Sequence, residues 1–453
     1  MTSRETVGGA PTPPTATATA TATATGTGAG PGTGTSRTYP WLVFALAFGL
    51  LLSDYMSRQV LSAVFPVLKT EWSLSDAHLA SLSSVVALMV GLLTLPLSLV
   101  ADRWGRVRSL AVMAVVWSVA TLLCAVAGNY HEMLAARFLV GVGEAAYGSV
   151  GIAVVLSVFA PRVHATLGGA FMAGGSFGSV VGVAVGGSLA VHVGWRWSFA
   201  AMAAFGLLLV AVFRAVVSEQ KLDHYAVEPR SPAAPAGGRA PVTSLFTNPA
   251  LLCAYIGGGL QMFTPAVLLS WTPSYFNRYY HLQTDEASVI AAVFVLLIGS
   301  GMVICGIISD RFTRSRSDAS GQWTSGVVFC VVSLVCLSAG FGFAPGAASL
   351  ILIGCGSFFA AGSSGPTAAI VAELSHRSVR ATGLGTLTVA NNVLGLALGP
   401  FVVGMVADHL GLAGALRLAP LMYLAAIAVL LLGRRLAPAG KLRFDRLAQP
   451  TAR

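Results

Sequence analysis

Four ionisable side chains stand in stretches that are otherwise apolar enough to cross a membrane: Asp54 and Arg58 in one, Arg137 and Glu144 in another. Charge at membrane depth is costly, so each is a candidate for holding a substrate or moving a proton. On a helix, a spacing of four sets Asp54 and Arg58 about 40° apart, and a spacing of seven sets Arg137 and Glu144 about 20° apart. Each pair addresses one face. At 1.5 Å per residue from an entry near Trp41, Asp54 lies ~20 Å deep, ~10 Å from the far edge of a ~30 Å hydrocarbon core. From an entry near residue 132 on that far side, Arg137 lies ~8 Å and Glu144 ~18 Å deep. This places Asp54 level with Arg137 and leaves Glu144 near the midplane with no opposite charge at its depth. An acid so placed suits proton exchange, with Arg137 and Asp54 as its electrostatic setting and Arg58 to meet an anionic group. The competing reading is an Asp54–Arg137 ion pair that glues two helices. Tyr147, a turn from Glu144, either packs or donates a hydrogen bond to it.

The elements that carry these residues follow from composition. The chain has 453 residues, 55% of them hydrophobic and only 10% charged, with a mean hydropathy of +0.77. Soluble domains carry about 25% charged residues, so lipid must be the solvent. The net charge of +10 is broken into short clusters between apolar runs, which excludes a nucleic-acid-binding face. The six cysteines lie in apolar runs without metal or redox spacing, so neither a disulfide framework nor a metal site is expected. Apolar stretches begin near residues 41, 78, 109, 132, 167, 197, 250, 288, 323, 347, 383 and 412, giving an all-α membrane protein of about twelve spans. Residues 1–38 read as a disordered Thr/Ala/Gly/Pro tail, 39–216 as one six-helix bundle and 217–248 as a cytoplasmic linker. Residues 249–436 read as a second six-helix bundle and 437–453 as a basic tail. With both termini inside, 21 basic residues fall on the cytoplasmic side and 4 outside, which orients the chain in a plasma (inner) membrane.

The two bundles repeat one another. Asp102-Arg103-Trp104-Gly105-Arg106 after the second span recurs as Asp310-Arg311-Phe312-Thr313-Arg314 after the eighth, and Val163-His164-Ala165-Thr166 recurs as Val379-Arg380-Ala381-Thr382. Parallel repeats of this kind build one class of secondary transporters. Gly174, Gly178, Gly182 and Gly186 form a stripe in span 5, echoed by Asn391, Gly395 and Gly399 in span 11, where small residues let backbones approach closely. The second bundle supplies only polar and aromatic candidates, Gln261, Trp271, Tyr275, Ser363, Ser364, Asn391 and Asn392. Asn391 and Asn392 point about 100° apart, so at most one lines a cavity.

Over residues 40 to 436 the sequence resembles the major facilitator superfamily. The Asp102 loop is similar to its Gly-x-x-x-Asp-Arg-x-Gly-Arg signature, with Ser98 in place of the opening glycine and Val107 in place of the final basic residue. Arg137-Phe138-Leu139-Val140-Gly141-Val142-Gly143 looks like the family's helix 4 motif. Three segments resemble the spinster-like branch: DYMSRQVLSAVFP from Asp54, GVGEAAYG from Gly141, and Trp271-Thr272-Pro273-Ser274-Tyr275. That branch has an acid directly before the helix 1 arginine, whereas this chain has Ser57 there and its acid at Asp54. The resemblance implies that helices 1 and 4 line a central cavity and that Glu144 matches a glutamate tied to proton-linked transport. It also implies a cytoplasmic latch of Asp102, Arg103, Gly105 and Arg106 with Asp310, Arg311 and Arg314, partnered by Glu373 and Arg380, that stabilises the outward-open state.

The expected protein is therefore a monomeric secondary transporter, not an enzyme, moving a small organic anion or amphiphile by alternating access with a proton gradient and no cofactor. No ATP-binding loop is present in the sequence. A facilitative uniporter or a drug or lipid exporter of the same fold is the alternative reading. A channel lacks its repeated charged rings, and an intramembrane hydrolase lacks a histidine at depth.

Overall fold

The computed structural model describes residues 38–160, 163–225, 243–315, 320–376 and 379–448; side chains at 165, 314, 315, 320, 381 and 439–448 fall outside the description. The expected tail and the middle of the expected linker lie outside it. The described residues are helical with short turns. The first six passes are α1 (Thr38–Glu71), α2 (Asp76–Trp104), α3 (Arg106–Val126), a pass broken into α4 (Tyr130–Glu144) and α5 (Tyr147–Ser157), α6 (His164–His192) and α7 (Trp195–Val216). Two short helices follow, α8 (Glu219–Tyr225) and α9 (Ser244–Thr247). The next passes are the broken pair α10 (Pro249–Gln261) and α11 (Phe263–Tyr279), α12 (Thr284–Ser315), α13 (Ser320–Gly342), and the broken pair α14 (Ala347–Ala360) and α15 (Ser364–Leu374). The last stretch comprises α16 (Arg380–Ala390), a π-helical segment (Asn391–Ala397), α17 (Leu398–Leu418) and α18 (Met422–Ala448).

Among the described residues eleven stretches are long and apolar enough to span, and the last of these, Thr382–Pro438, is 57 residues. One pass needs about 20 residues. Gly411, at φ 72, turns the chain inside this stretch, so it holds two passes and the described residues make twelve. A left-handed residue here favours glycine because it lacks a Cβ. α18 continues helically to Ala448, beyond the end near 436 expected from the apolar run.

Chain direction gives the bundle two ends. The Asp102 loop and the starts of α1, α6, α10 and α13 share the arginine-rich end; Asp76 and the starts of α4, α7, α12 and α14 share the other. Small residues set the tightest crossings. The stripe Gly174, Gly178, Gly182 and Gly186 lies on α1, where a Cβ at Gly182 would stand 2.7 Å from the Met56 carbonyl oxygen, and one at Gly178 would press on the Leu52 carbonyl. Gly395 and Gly399 do the same against Met262 and Phe263. Both stripes pack helices within their own half. Contacts between the halves use other small residues: Gly404 against Asp76 and Ala80, Gly187 against Ser288, and Gly91 against Asn392.

Candidate functional site

Helices break where the candidate polar residues sit. α4 ends at Glu144, α10 at Gln261 and α14 at Ala360, and the π-helical turn begins at Asn391. A break frees backbone carbonyls, which must find partners inside a membrane. The Gln261 amide nitrogen donates to the Ala360 carbonyl at 2.7 Å, and the Tyr423 hydroxyl donates to the same oxygen at 2.8 Å. In the first half the Thr94 hydroxyl lies 2.7 Å from the Ala145 carbonyl. Thr94 carries no sequence signal, being one hydroxyl in an apolar run.

Glu144 is paired. Arg58 donates to its Oε2 from Nη2 at 2.8 Å and from Nε at 3.1 Å, and Ser57 Oγ, 2.8 Å from the Asp54 carbonyl, lies 3.3 Å from Oε1. The Glu144 side chain is fully buried, whereas that of Arg58 keeps 18% of its surface exposed and lies over the Tyr55 ring at 5.3 Å. Arg58 therefore has one edge on Glu144 and part of its surface within reach of a solute. This overturns the expectation of a midplane acid without an opposite charge.

Arg137 is not the partner of Asp54. Fully buried, it donates to the carbonyl oxygens of Leu82, Ser57 and Arg58 at 3.3, 3.1 and 3.4 Å, bracing α4 on α1 and α2. Asp54 is 3% exposed, its Oδ1 has no hydrogen-bond partner, and it feels the charges of Glu144 and Arg58. The depth arithmetic failed because α1 does not stop at the far edge of the hydrocarbon but runs on to Glu71. Counted from the Asp76 end, Arg58 is ~20 Å and Glu144 ~21 Å along their helices, with Asp54 a turn further on at ~26 Å. Tyr147 donates to the Ala47 carbonyl at 2.8 Å and packs edge-on against Trp117 at 4.9 Å; Glu144 is not its acceptor.

The other candidates are distributed. Trp271 is fully buried, donates to the Pro400 carbonyl at 3.2 Å, and meets Phe65 across the halves at 5.4 Å. Tyr275 joins Tyr279 and Phe341 in an aromatic cluster at the Asp76 end. Asn391 faces Gly258 of α10 and Asn392 faces Gly91 of α2, and the Oδ1 of each is buried without a partner. Ser364 caps the Ala361 carbonyl at 2.7 Å, and Ser363 Oγ lies 3.7 Å from Cys330 Sγ.

A cluster absent from the sequence reading closes the Asp76 end. Arg278 donates to both Asp76 carboxylate oxygens at 2.7 and 2.8 Å, and Lys69 to Oδ1 at 2.6 Å. Asp408 in turn accepts from the Asp76 and Ala77 backbone amides at 2.7 and 3.1 Å. These bonds tie α2 to α11 and α17, so the halves are locked together here. At the other end the Asp102 loop bonds within its own half. Arg106 reaches Asp102 at 3.1 Å, and Glu219 Oε1 accepts from the Val107 and Arg108 amides at 2.8 and 3.3 Å. Gly105 turns the loop at φ 101 directly beside that carboxylate. Arg103, Asp310, Arg311, Glu373 and Arg380 are exposed, and the Arg314 side chain lies outside the described residues.

Residues 46–393 match the Major Facilitator Superfamily. The chain belongs to the Major Facilitator Superfamily. It is a membrane transporter and not an enzyme. It is 27% identical over 379 residues, 80% of this chain and 83% of the other, to a probable 4-methylmuconolactone transporter of Cupriavidus pinatubonensis. It is 22% identical over 384 residues, 82% of this chain and 73% of the other, to protein spinster homolog 1 of Xenopus laevis. Its fold is that of a bacterial homologue of the human lysosomal transporter Spinster in an inward-facing, unoccupied conformation, with a TM-score of 0.76, 18% identity, and coverage of 92% of this chain and 100% of that one. The likeness to spinster homologues expected from the sequence is found in both comparisons.

Proposed function

We propose that the protein is a proton-coupled secondary transporter of a small organic anion, and that the Arg58–Glu144 pair is where solute and proton meet. The observation that carries this reading is the geometry of Arg58: a partly exposed guanidinium beside an aromatic ring, neutralised by a buried glutamate that is its only described carboxylate contact. A solute carboxylate can take the place of Glu144 on Arg58 only if the glutamate charge is first removed, since two carboxylates on one guanidinium repel. Protonating Glu144 removes it. Proton and anion then enter together, which is symport. Asp54 lies a turn away on α1 and feels the charges of both members of the pair.

Alternating access follows from the two ends. The Asp76 cluster locks this state at one end, and the Asp102 loop, held within its half, is free to form its latch when the halves rock the other way. The 21 to 4 excess of basic residues supports assigning the Asp102 end, with both termini, to the cytoplasm of a plasma membrane. The carrier works as a monomer and draws on the proton gradient rather than ATP.

Purified protein in liposomes tests the reading. Organic anions should be taken up when an inward proton gradient is imposed, and preloaded cold solute should accelerate entry of label by counterflow. Uptake of label that is unaffected by preloading and by the gradient would mean a passive pore.

A further inference from the structure

A cavity of about 140 Å³ lies between α2, α3 and α4 of the first half. It is walled by apolar surface, chiefly Val100 and Trp104 of α2, Val112 and Val116 of α3, and Gly143 of α4. Val100, Trp104 and Val112 are also exposed on the lipid-facing surface, so the cavity communicates with the bilayer. It runs from the level of Trp104, at the arginine-rich end, towards Gly143 near the midplane, the path an acyl chain takes through one leaflet. An apolar cavity of about 150 Å³ accepts a benzene-sized hydrocarbon, so this one holds a run of roughly six chain carbons.

The charge at the mouth says what the chain is attached to. Arg108 stands over the Trp104 ring at 6.0 Å, and Arg103 is exposed beside it. Their charge is not consumed by Asp102, which takes Arg106. We infer that this cleft is a binding site for one anionic phospholipid, with its chain in the cavity and its phosphate on Arg108. The lipid would rest against the loop between α2 and α3 and so share a boundary with the latch residues without being the transported solute.

The test is native mass spectrometry of the full chain, purified in detergent and titrated with phosphatidylglycerol or phosphatidylcholine. Wild type should retain one phosphatidylglycerol with about fivefold preference over phosphatidylcholine, the weight of one basic side chain at an anionic surface. Arg108→Gln should erase that preference, and Val116→Phe should fill the cavity and lose the bound lipid of either kind. Val112→Phe replaces it if Val116→Phe does not run as a monodisperse protein. Equal retention of both lipids by wild type, or undiminished phosphatidylglycerol in a folded cavity-filling variant, would overturn the assignment.

Discussion

Arg58 and Glu144 meet at 2.8 Å across α1 and α4, with the glutamate fully buried and the arginine still partly open. Removing one partner of a buried ion pair costs about 3–5 kcal/mol because the other charge is left without compensation. An incoming carboxylate supplies that compensation and a proton does the same for the glutamate. The proposed coupling links the two events in that order, the proton on Glu144 first and the anion on Arg58 second.

Asp76 gathers Arg278, Lys69 and, through its backbone, Asp408. Asp76→Ala leaves both cations without a carboxylate, so the state closed at this end should lose about 1.5–3 kcal/mol, the worth of a hydrogen bond to a charged group. Pairs of spin labels on α2 and α11 at the Asp76 end should report a larger population of long distances. An unchanged distance distribution would show that the apolar contacts, Phe65 on Trp271 among them, hold this end by themselves.

Asp102 makes an exposed bond to Arg106 in this state, worth at most about 1 kcal/mol. Asp102→Ala should therefore leave the melting temperature and substrate binding as they are and slow transport, if the proposed latch acts in the opposite state. An unchanged transport rate in liposomes would remove the latch role.

Gly182 stands against the α1 backbone, where a Cβ would come within 2.7 Å of the Met56 carbonyl. Neither helix can yield without disturbing Arg58 a short distance along α1. Gly182→Ala should cost about 1–3 kcal/mol as an overpacking change, read as a lower melting temperature, whereas Gly148→Ala, with open space around it, should melt as wild type.

Span count, charge asymmetry, the two repeated loops and the four intramembrane charges could all be read from the sequence, because each is a property of residue type and local spacing. Partner choice could not. It depends on how far α1 extends, and nothing in the run from Trp41 shows that the helix continues through Pro66 to Glu71. Asp76 looks like an ordinary acid in a first turn behind its Ser75 cap, and Arg278 lies 202 residues away, so their meeting is a fact of tertiary structure. Thr94 and the Ala145 carbonyl are hidden for the same reason: a helix break at Glu144 has no proline to announce it.

The most direct measurement is the pH dependence of anion affinity in wild type and in Glu144→Gln, taken by calorimetry or thermal shift on purified protein. If anion and proton bind together at the Arg58–Glu144 pair, as proposed, wild type should bind the anion more tightly as pH falls. Glu144→Gln should bind with a flat profile at the low-pH affinity while losing acceleration by a proton gradient. Wild-type pH dependence retained in Glu144→Gln, together with full gradient-driven uptake, would contradict the coupling of solute and proton at the Arg58–Glu144 pair.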